Sequence, residues 1–291
     1  MKKLLMFISL IAASLVGMNL AHAVEIKVGV MAPRSNIKTI KRWGDMGKYI
    51  EKEMGVDVKI IPLKPNKAMD AVAKGKVDYV LANPVLTIAM QEKLATVPMV
   101  TMKTKSGAQF AGVIIAKEGS GINKSADLKG KNVMGYKFKR SAAAYVFQVK
   151  HMMDNGVDPH KDFAQFTEAK NQDDIVFAVK AGKFDGGFIK SGLLEFMVKE
   201  GRVKLSDFVI VDQKKDNLSA VHTTKLYPSW YISSSSSADK GVTSKLKAIL
   251  LKLSPDDKAS KKAKIVGFVA PLSLTELKNT LKTLKLPPYD K

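Results

Sequence analysis

The 291 residues contain no cysteine. That absence removes disulfide staples, thiolate metal sites, a cysteine nucleophile and a lipid-attached N-terminal cysteine together. A chain of this length without cross-links must bury a large core, in one large or two medium domains. Histidine is nearly as scarce: His22 falls in the apolar N-terminal stretch, His151 in a helical pattern, His160 in a turn, and His222 is the fourth. HExxH and paired-histidine spacings are absent, as are GxSxG and GxxxxGKS or GxxxxGKT, which excludes the usual zinc, hydrolase and P-loop signatures. No nucleophile lies beside a base, so no catalytic residue, metal or cofactor is expected. The fourteen methionines fall at core-like helical spacing rather than in a copper-binding pattern.

Acidic residues are also in short supply, 27 against 48 lysines and arginines. The pairs Asp173-Asp174 and Asp256-Asp257 sit at helix starts, where the helix dipole accounts for them. The cations are scattered along helical faces, as in KTIKRWGDMGKYIEKEMG and SKLKAILLKL, without a nucleic-acid recognition signature. Nucleic acid is therefore not an expected partner, and the charge biases the molecule toward small anions.

Only one stretch is strongly apolar. MKKLLMFISLIAASLVGMNLAHA opens with two lysines, runs apolar from Leu4 to Met18 and exits through small residues. This is the three-part pattern of a secretory signal peptide spanning 1–23, with cleavage after Ala23 and periplasmic export. The mature chain is expected not to span a membrane and to act as a monomer.

From residue 24, short β-branched runs alternate with helix-period segments, the mark of α/β units with parallel strands. VEIKVGVMAP reads as a strand, and 37–54 as a helix carrying Ile37, Ile40, Trp43, Met46 or Gly47, and Ile50 on its buried stripe. NKAMDAVAKGK reads as a helix capped by Asn66, and Asn83-Pro84 as a cap and first-turn proline. The segment 238–286 reads as almost wholly helical, broken at Pro255 and Pro271. So many units exceed one compact sheet. Two α/β lobes are expected: 24–108 plus 234–291 as a discontinuous first lobe, and 109–233 as the second, including crossings near Gln109–Ala116 and Leu226–Ser233.

In open α/β sheets the ligand crevice lies at the carboxyl ends of the strands, where helix N-termini present free N–H groups. KFKRSAAAY, 137–145, places three cations and Ser141 ahead of an alanine run that leaves the backbone donors uncovered. Cations at a helix N-terminus oppose the dipole by about 0.3 to 1 kcal/mol. An anionic ligand would compensate Lys139 and Arg140, and so would plain hydration. Lys190, in FDGGFIKSGLLE, follows a buried-looking strand and precedes a helix, which makes it a cleft cation or a snorkelling surface residue.

The order of VEIKVGVMAPR, VDYVLANPVLTIAMQE, FAGVIIAKEGSGINKSADLKGKNVMG, AVKAGKFDGGFIKSGLLE and LKLPPY resembles the periplasmic solute-binding proteins of phosphate, phosphite and phosphonate importers. HTTKLYPSWYI and FIKSGLLE are similar to the periplasmic sensing domains of tetrathionate-type histidine kinases. The resemblance implies a two-lobed type 2 periplasmic-binding-protein fold with an interlobe cleft. It implies a non-enzymatic protein that captures a small anion for an ABC permease or signals to a membrane histidine kinase. Phosphonate importers carry a Ser-Thr-Ser helix start; here Ser141 remains and Ala142 and Ala143 replace its partners. Their ligand histidine falls at Gln172, and Lys190 stands in the turn that contacts the amine of aminophosphonates. The implied ligand set is Arg34, Asn83, Gln109, Lys139, Arg140, Ser141, Gln172, Lys190 and His222, for an oxyanion of the phosphonate, phosphite or sulfur type.

Overall fold

The structure is a computed structural model that describes residues 25–32 and 35–290. Residues 1–23, read above as a signal peptide, and Arg34 therefore lie outside the described residues.

The chain begins with β1 (Glu25–Met31), α1 (Asn36–Met54), β2 (Asp57–Leu63), α2 (Ala68–Ala73), β3 (Tyr79–Ala82), α3 (Pro84–Leu94) and β4 (Val97–Lys103). It continues through β5 (Gln109–Phe110), β6 (Gly112–Lys117), β7 (Asn132–Tyr136), α4 (Phe147–Asp154), β8 (Gln165–Ala169), α5 (Gln172–Lys180), β9 (Gly186–Lys190), α6 (Leu193–Lys199) and β10 (Phe208–Ile210). It ends with β11 (Tyr227–Pro228), β12 (Tyr231–Ser234), α7 (Lys240–Lys252), α8 (Lys258–Ala263), β13 (Gly267–Val269) and α9 (Thr275–Thr283).

The strands form two sheets, ordered β13-β4-β12-β3-β1-β2 and β10-β6-β9-β7-β8, joined by the two-stranded ribbon β5-β11. Within the sheets β1, β2 and β3 are parallel, as are β7, β8 and β9. β12 lies between β3 and β4 and antiparallel to both, so the returning chain completes the first sheet.

Local chemistry explains the helix ends nearest the strand exits. Ser35 caps α1, and Gly55 closes it in the left-handed region at φ 66°, its N–H on Glu51 O at 2.9 Å. Asn83 caps α3, with its Oδ1 accepting the Leu86 N–H at 3.0 Å and Pro84 in the first turn.

Three expectations are corrected. The buried stripe of α1 is Thr39, Trp43, Met46, Gly47 and Ile50, whereas Ile37 is 80% and Ile40 50% exposed. Steps of three residues drift about 60° each around an α-helix, so Ile40 and then Ile37 fall progressively off the stripe that holds Trp43, Met46 and Ile50. α2 starts after Lys67 and has no side-chain cap bond, so Asn66 does not cap it. The region read as continuous helix contains β13, three residues paired with the last residues of β4.

The first sheet is covered on one face by α1, α7 and α8, which bury Trp43, Met46, Ile50, Leu246 and Leu250 against Ile26, Val28 and Val30. Its other face carries α2 and α3. The second sheet packs Val113, Ile115 and Ile189 against α5 and α6. Ile114 and Phe188, alternating with these, point to the opposite face and into a cluster with Phe147. That cluster runs on through Tyr227 and Tyr231 to Val85 and Ile88 of α3 and Leu277 and Leu281 of α9, so one apolar core continues across the ribbon. Phe147 stacks on Tyr227 with centroids 4.0 Å apart and planes at 20°. Such a pair adds about 0.5 to 1.5 kcal/mol beyond its buried area.

Candidate functional site

Strand registers place the carboxyl ends of both sheets beside the ribbon. Ala82, the last residue of β3, pairs with Tyr231, three residues after Pro228 of the ribbon. Lys190, the last residue of β9, pairs with Gly112, two residues after Phe110 of the ribbon. The parallel strands of each sheet end with these two. The exits of β1, β2 and β3 and those of β7, β8 and β9 thus flank one crossing.

The exit of β7 is built on strained backbone. Lys137 and Lys139 adopt φ of 46° and 64°, a region that costs a non-glycine residue about 1 to 2 kcal/mol. Tertiary contacts hold the turn. Phe138 stacks on Tyr145 at 4.7 Å and meets Phe166 at 4.4 Å. The Phe138 N–H donates to Glu168 at 2.7 Å, and the N–H groups of Arg140 and Ser141 donate to Lys137 O at 3.0 and 2.9 Å. Glu168 also pairs with Lys137 at 3.8 Å, which neutralises the first of the three cations. Lys139 and Arg140 are exposed and make no ion pair among the described residues.

Directly after them comes a π-helical turn, Ala142–Val146, where a regular α-helical start is expected from the sequence. Its first backbone bond runs from Val146 N–H to Ser141 O at 3.0 Å, so the N–H groups of Ala142 to Tyr145 precede the ladder. Ala143 and Ala144 leave helical geometry altogether, with φ/ψ of −100°/22° and −141°/22°. Ser141 makes no side-chain cap bond, which leaves its hydroxyl available.

Gln148, fully buried on the next turn, fixes this arrangement. Its amide nitrogen lies 2.9 Å from Ala143 O, 2.8 Å from Ile189 O and 3.2 Å from Val113 O. The turn is thereby tied to β6 and to the last bond of β9 before Lys190. A Cβ on Gly112 would lie 2.5 Å from Gln148 Cδ, so glycine is required for this close approach. Neither residue was singled out from the sequence. Gln148 is legible as a polar residue in an apolar helical run, but its three acceptors belong to distant segments.

Lys190 and Gln172 come together: Gln172 Oε1 accepts the Lys190 N–H at 2.9 Å. The following residue is anchored as well, since Ala111 N–H donates to Ser191 Oγ at 3.1 Å and Ser191 N–H to Ala111 O at 2.9 Å. The Lys190 side chain is exposed at this fixed strand end.

On the first sheet, the Asn83 amide nitrogen lies 4.0 Å from Met31 Sδ, which links the exits of β3 and β1. A groove of about 640 Å³ opens beside them, lined by Ala32, Ser35, Asn36, Ile37, Lys64 and Asn66. Ala32 and Ser35 flank the segment that carries Arg34. Gln109 is exposed in the ribbon, paired with Pro228.

His222 is placed elsewhere. It is 1% exposed, with Nδ1 3.1 Å from Ala220 O and Nε2 3.0 Å from Asp216, so both ring nitrogens are engaged within the 212–224 loop. The ring thereby holds this loop together, next to Thr223, whose N–H donates to Gly112 O at 3.0 Å. Asp216 is held below the usual carboxylate range first by the Leu218 N–H and then by His222.

Burial also keeps the aromatic support uncharged. It pushes the Tyr145 hydroxyl up to about 12, and this hydroxyl lies 2.7 Å from His160 Nε2. Burial lowers the His160 pKa, with Lys139 acting in the same direction and Asp158 against it. Neither aromatic partner therefore adds charge beside Lys139 and Arg140 at neutral pH.

Among solved structures, the fold is similar to PhnD1 from Prochlorococcus marinus in complex with methylphosphonate, with TM-score 0.71 and 16% identity over 90% of this chain and 98% of that one. A Xanthomonas citri protein bound to ATP gives TM-score 0.70 and 16% identity over 89% and 95%. A binding protein component of an ABC phosphonate transporter from Pseudomonas aeruginosa gives 0.70 and 15% over 90% and 86%. These likenesses establish the two-lobed type 2 periplasmic binding fold. In sequence, the tetrathionate sensor histidine kinase TtrS of Salmonella typhimurium is 25% identical over 209 residues, 70% of this chain. The match spans only 35% of that kinase. The family model for the periplasmic substrate-binding proteins of phosphonate ABC transporters matches residues 28–273, and the chain belongs to this family of binding proteins.

Proposed function

We propose that this protein captures a small oxyanion between its lobes and delivers it to an ABC importer. One observation carries this reading: among the described residues, Lys139 and Arg140 have no carboxylate partner, and they stand beside a turn whose leading N–H groups have no helical acceptor. Charge-assisted bonds to an oxyanion are about twice as strong as neutral ones, and they would offset both the backbone strain and the opposed dipole. Ser141, Gln172 and Lys190 complete the second-lobe side, with Asn83, Arg34 and Gln109 contributing from the first lobe and the ribbon. Methylphosphonate and ATP, bound by two proteins of like fold, share a tetrahedral phosphorus oxyanion. Ala142 and Ala143 offer no hydroxyl, so the binding energy shifts toward charge, which favours a strongly anionic ligand.

In this reading residues 1–23 are removed after Ala23 and the mature chain works as a monomer. Lobe one is 24–108 plus 234–291, and lobe two is 109–233. A second reading, favoured by the match to the tetrathionate sensor, is that the closed form signals to a membrane histidine kinase.

The test is a thermal-shift screen with methylphosphonate, phosphite, phosphate, thiosulfate, tetrathionate and small carboxylates, followed by calorimetry. A ligand at one hundred times its Kd stabilises the protein by about 2.7 kcal/mol. One anion raising the melting temperature is the expected result, and a flat screen overturns the proposal. Reconstitution with the cognate permease or kinase then separates importer from sensor.

A further inference from the structure

The helical layer of α1, α7 and α8 has a property that the anion site does not use. Residues 36–54 and 240–264 carry twelve lysines and one arginine against five carboxylates. The segment 68–94, which carries α2 and α3 on the other face together with the turn and strand between them, has three lysines and three carboxylates. The excess is thus greater on the α1, α7 and α8 face than on the opposite one. All twelve lysines are exposed. Lys258 pairs with Asp45 at 3.8 Å, Lys261 pairs with Asp256 at 3.4 Å, and Lys264 lies over the Phe196 ring at 5.7 Å. The side chains of the other nine make no ion pair among the described residues.

The pattern along α7 is amphipathic. Leu246 and Leu250 are buried against the sheet, while Lys240, Lys247 and Leu251 share one outward stripe and Lys245 and Lys252 the next. Leu251 is 40% exposed, and Ile40 on neighbouring α1 is 50% exposed. Apolar side chains set among lysines on a helical layer suit a headgroup surface, into which the stems sink while the ammonium groups stay hydrated. The charge on this face is carried almost wholly by lysine, as in the rest of the chain. Arginine's planar fork reads defined carboxylate geometry, whereas lysine is a hydrated point charge that matches a diffuse, mobile array of anions.

We propose that the α1, α7 and α8 face docks on an anionic lipid bilayer surface. This surface is distinct from the strand exits, and the proposal does not depend on which anion the cleft binds. The test is co-sedimentation of protein beginning at Val24, so that the apolar leader cannot partition, with vesicles of phosphatidylglycerol or of phosphatidylcholine. Binding to phosphatidylglycerol vesicles alone, falling as salt rises, is expected. Changing Lys245, Lys247 and Lys252 together to glutamine should weaken it by about tenfold or more, as should Lys41→Gln with Lys48→Gln on α1. The matched control, Lys74→Gln, Lys76→Gln and Lys93→Gln on the neutral layer, should leave it within about twofold. Failure of the unaltered protein to bind phosphatidylglycerol, or equal weakening by control and face variants, overturns the proposal. Binding to immobilised polyglutamate with the same lysine dependence but not to vesicles also overturns it, and assigns the face to an acidic protein.

Discussion

The backbone N–H of Lys190 donates to the side-chain carbonyl of Gln172 at 2.9 Å, joining the last residue of β9 to the first turn of α5. The bond spans eighteen residues of sequence and fixes where the Lys190 side chain leaves the sheet. Gln172→Ala should therefore lower anion affinity through Lys190 as well as directly, by about 1 to 2 kcal/mol. Calorimetry on Gln172→Ala, Lys190→Ala and the double variant checks this. Strictly additive losses would separate the two residues.

Arg140→Ala and Lys190→Ala should each weaken oxyanion binding by about 1 to 3 kcal/mol, the scale of a charged hydrogen bond. Both side chains are exposed, so the melting temperature of the unliganded protein should hardly move. A large loss of stability with affinity intact would make them structural residues instead.

Gln148→Met keeps the volume but removes the amide that serves three buried carbonyls. Losing these buried bonds should cost about 1 to 3 kcal/mol in denaturant unfolding, with Val113 and Ile189 still paired with each other in the β6–β9 ladder. Gly112→Ala forces a methyl against Gln148 Cδ and should cost about 1 to 3 kcal/mol by overpacking. The two sites touch, so the double variant should be less destabilised than the sum. Full additivity would break the proposed link.

The pH dependence of stability has a definite sign at His160. Its folded pKa lies below the ordinary 6.5, chiefly through burial, so the unfolded chain binds the proton more readily. The favourable contribution is complete above pH 6.5 and is lost as pH falls through the folded value. Chemical unfolding between pH 7.5 and 5 should show a steeper fall for the unaltered protein than for His160→Gln. Equal slopes would remove His160 from the account.

Much of the scaffold was readable from residue order alone. Strand-helix alternation and the cap at Asn83 with Pro84 in the first turn both depend on local periodicity and turn chemistry. So did the cationic turn before Ser141. Local signals act over a few residues and need no knowledge of the partner segment.

What local order could not supply was whether a helix face meets a sheet, or which carboxylate meets which cation. Ile37 and Ile40 obey helical spacing yet stand in solvent, and β13 was too short to show a period. His222 is a buried loop anchor because Asp216 and Ala220 fold back onto it. Lys137 is paired with Glu168 from a neighbouring strand, while Lys139 and Arg140 make no ion pair among the described residues. Sequence determined the elements and the charges; tertiary packing decided which charges are cancelled, because ion pairing and burial depend on distances between segments remote along the chain.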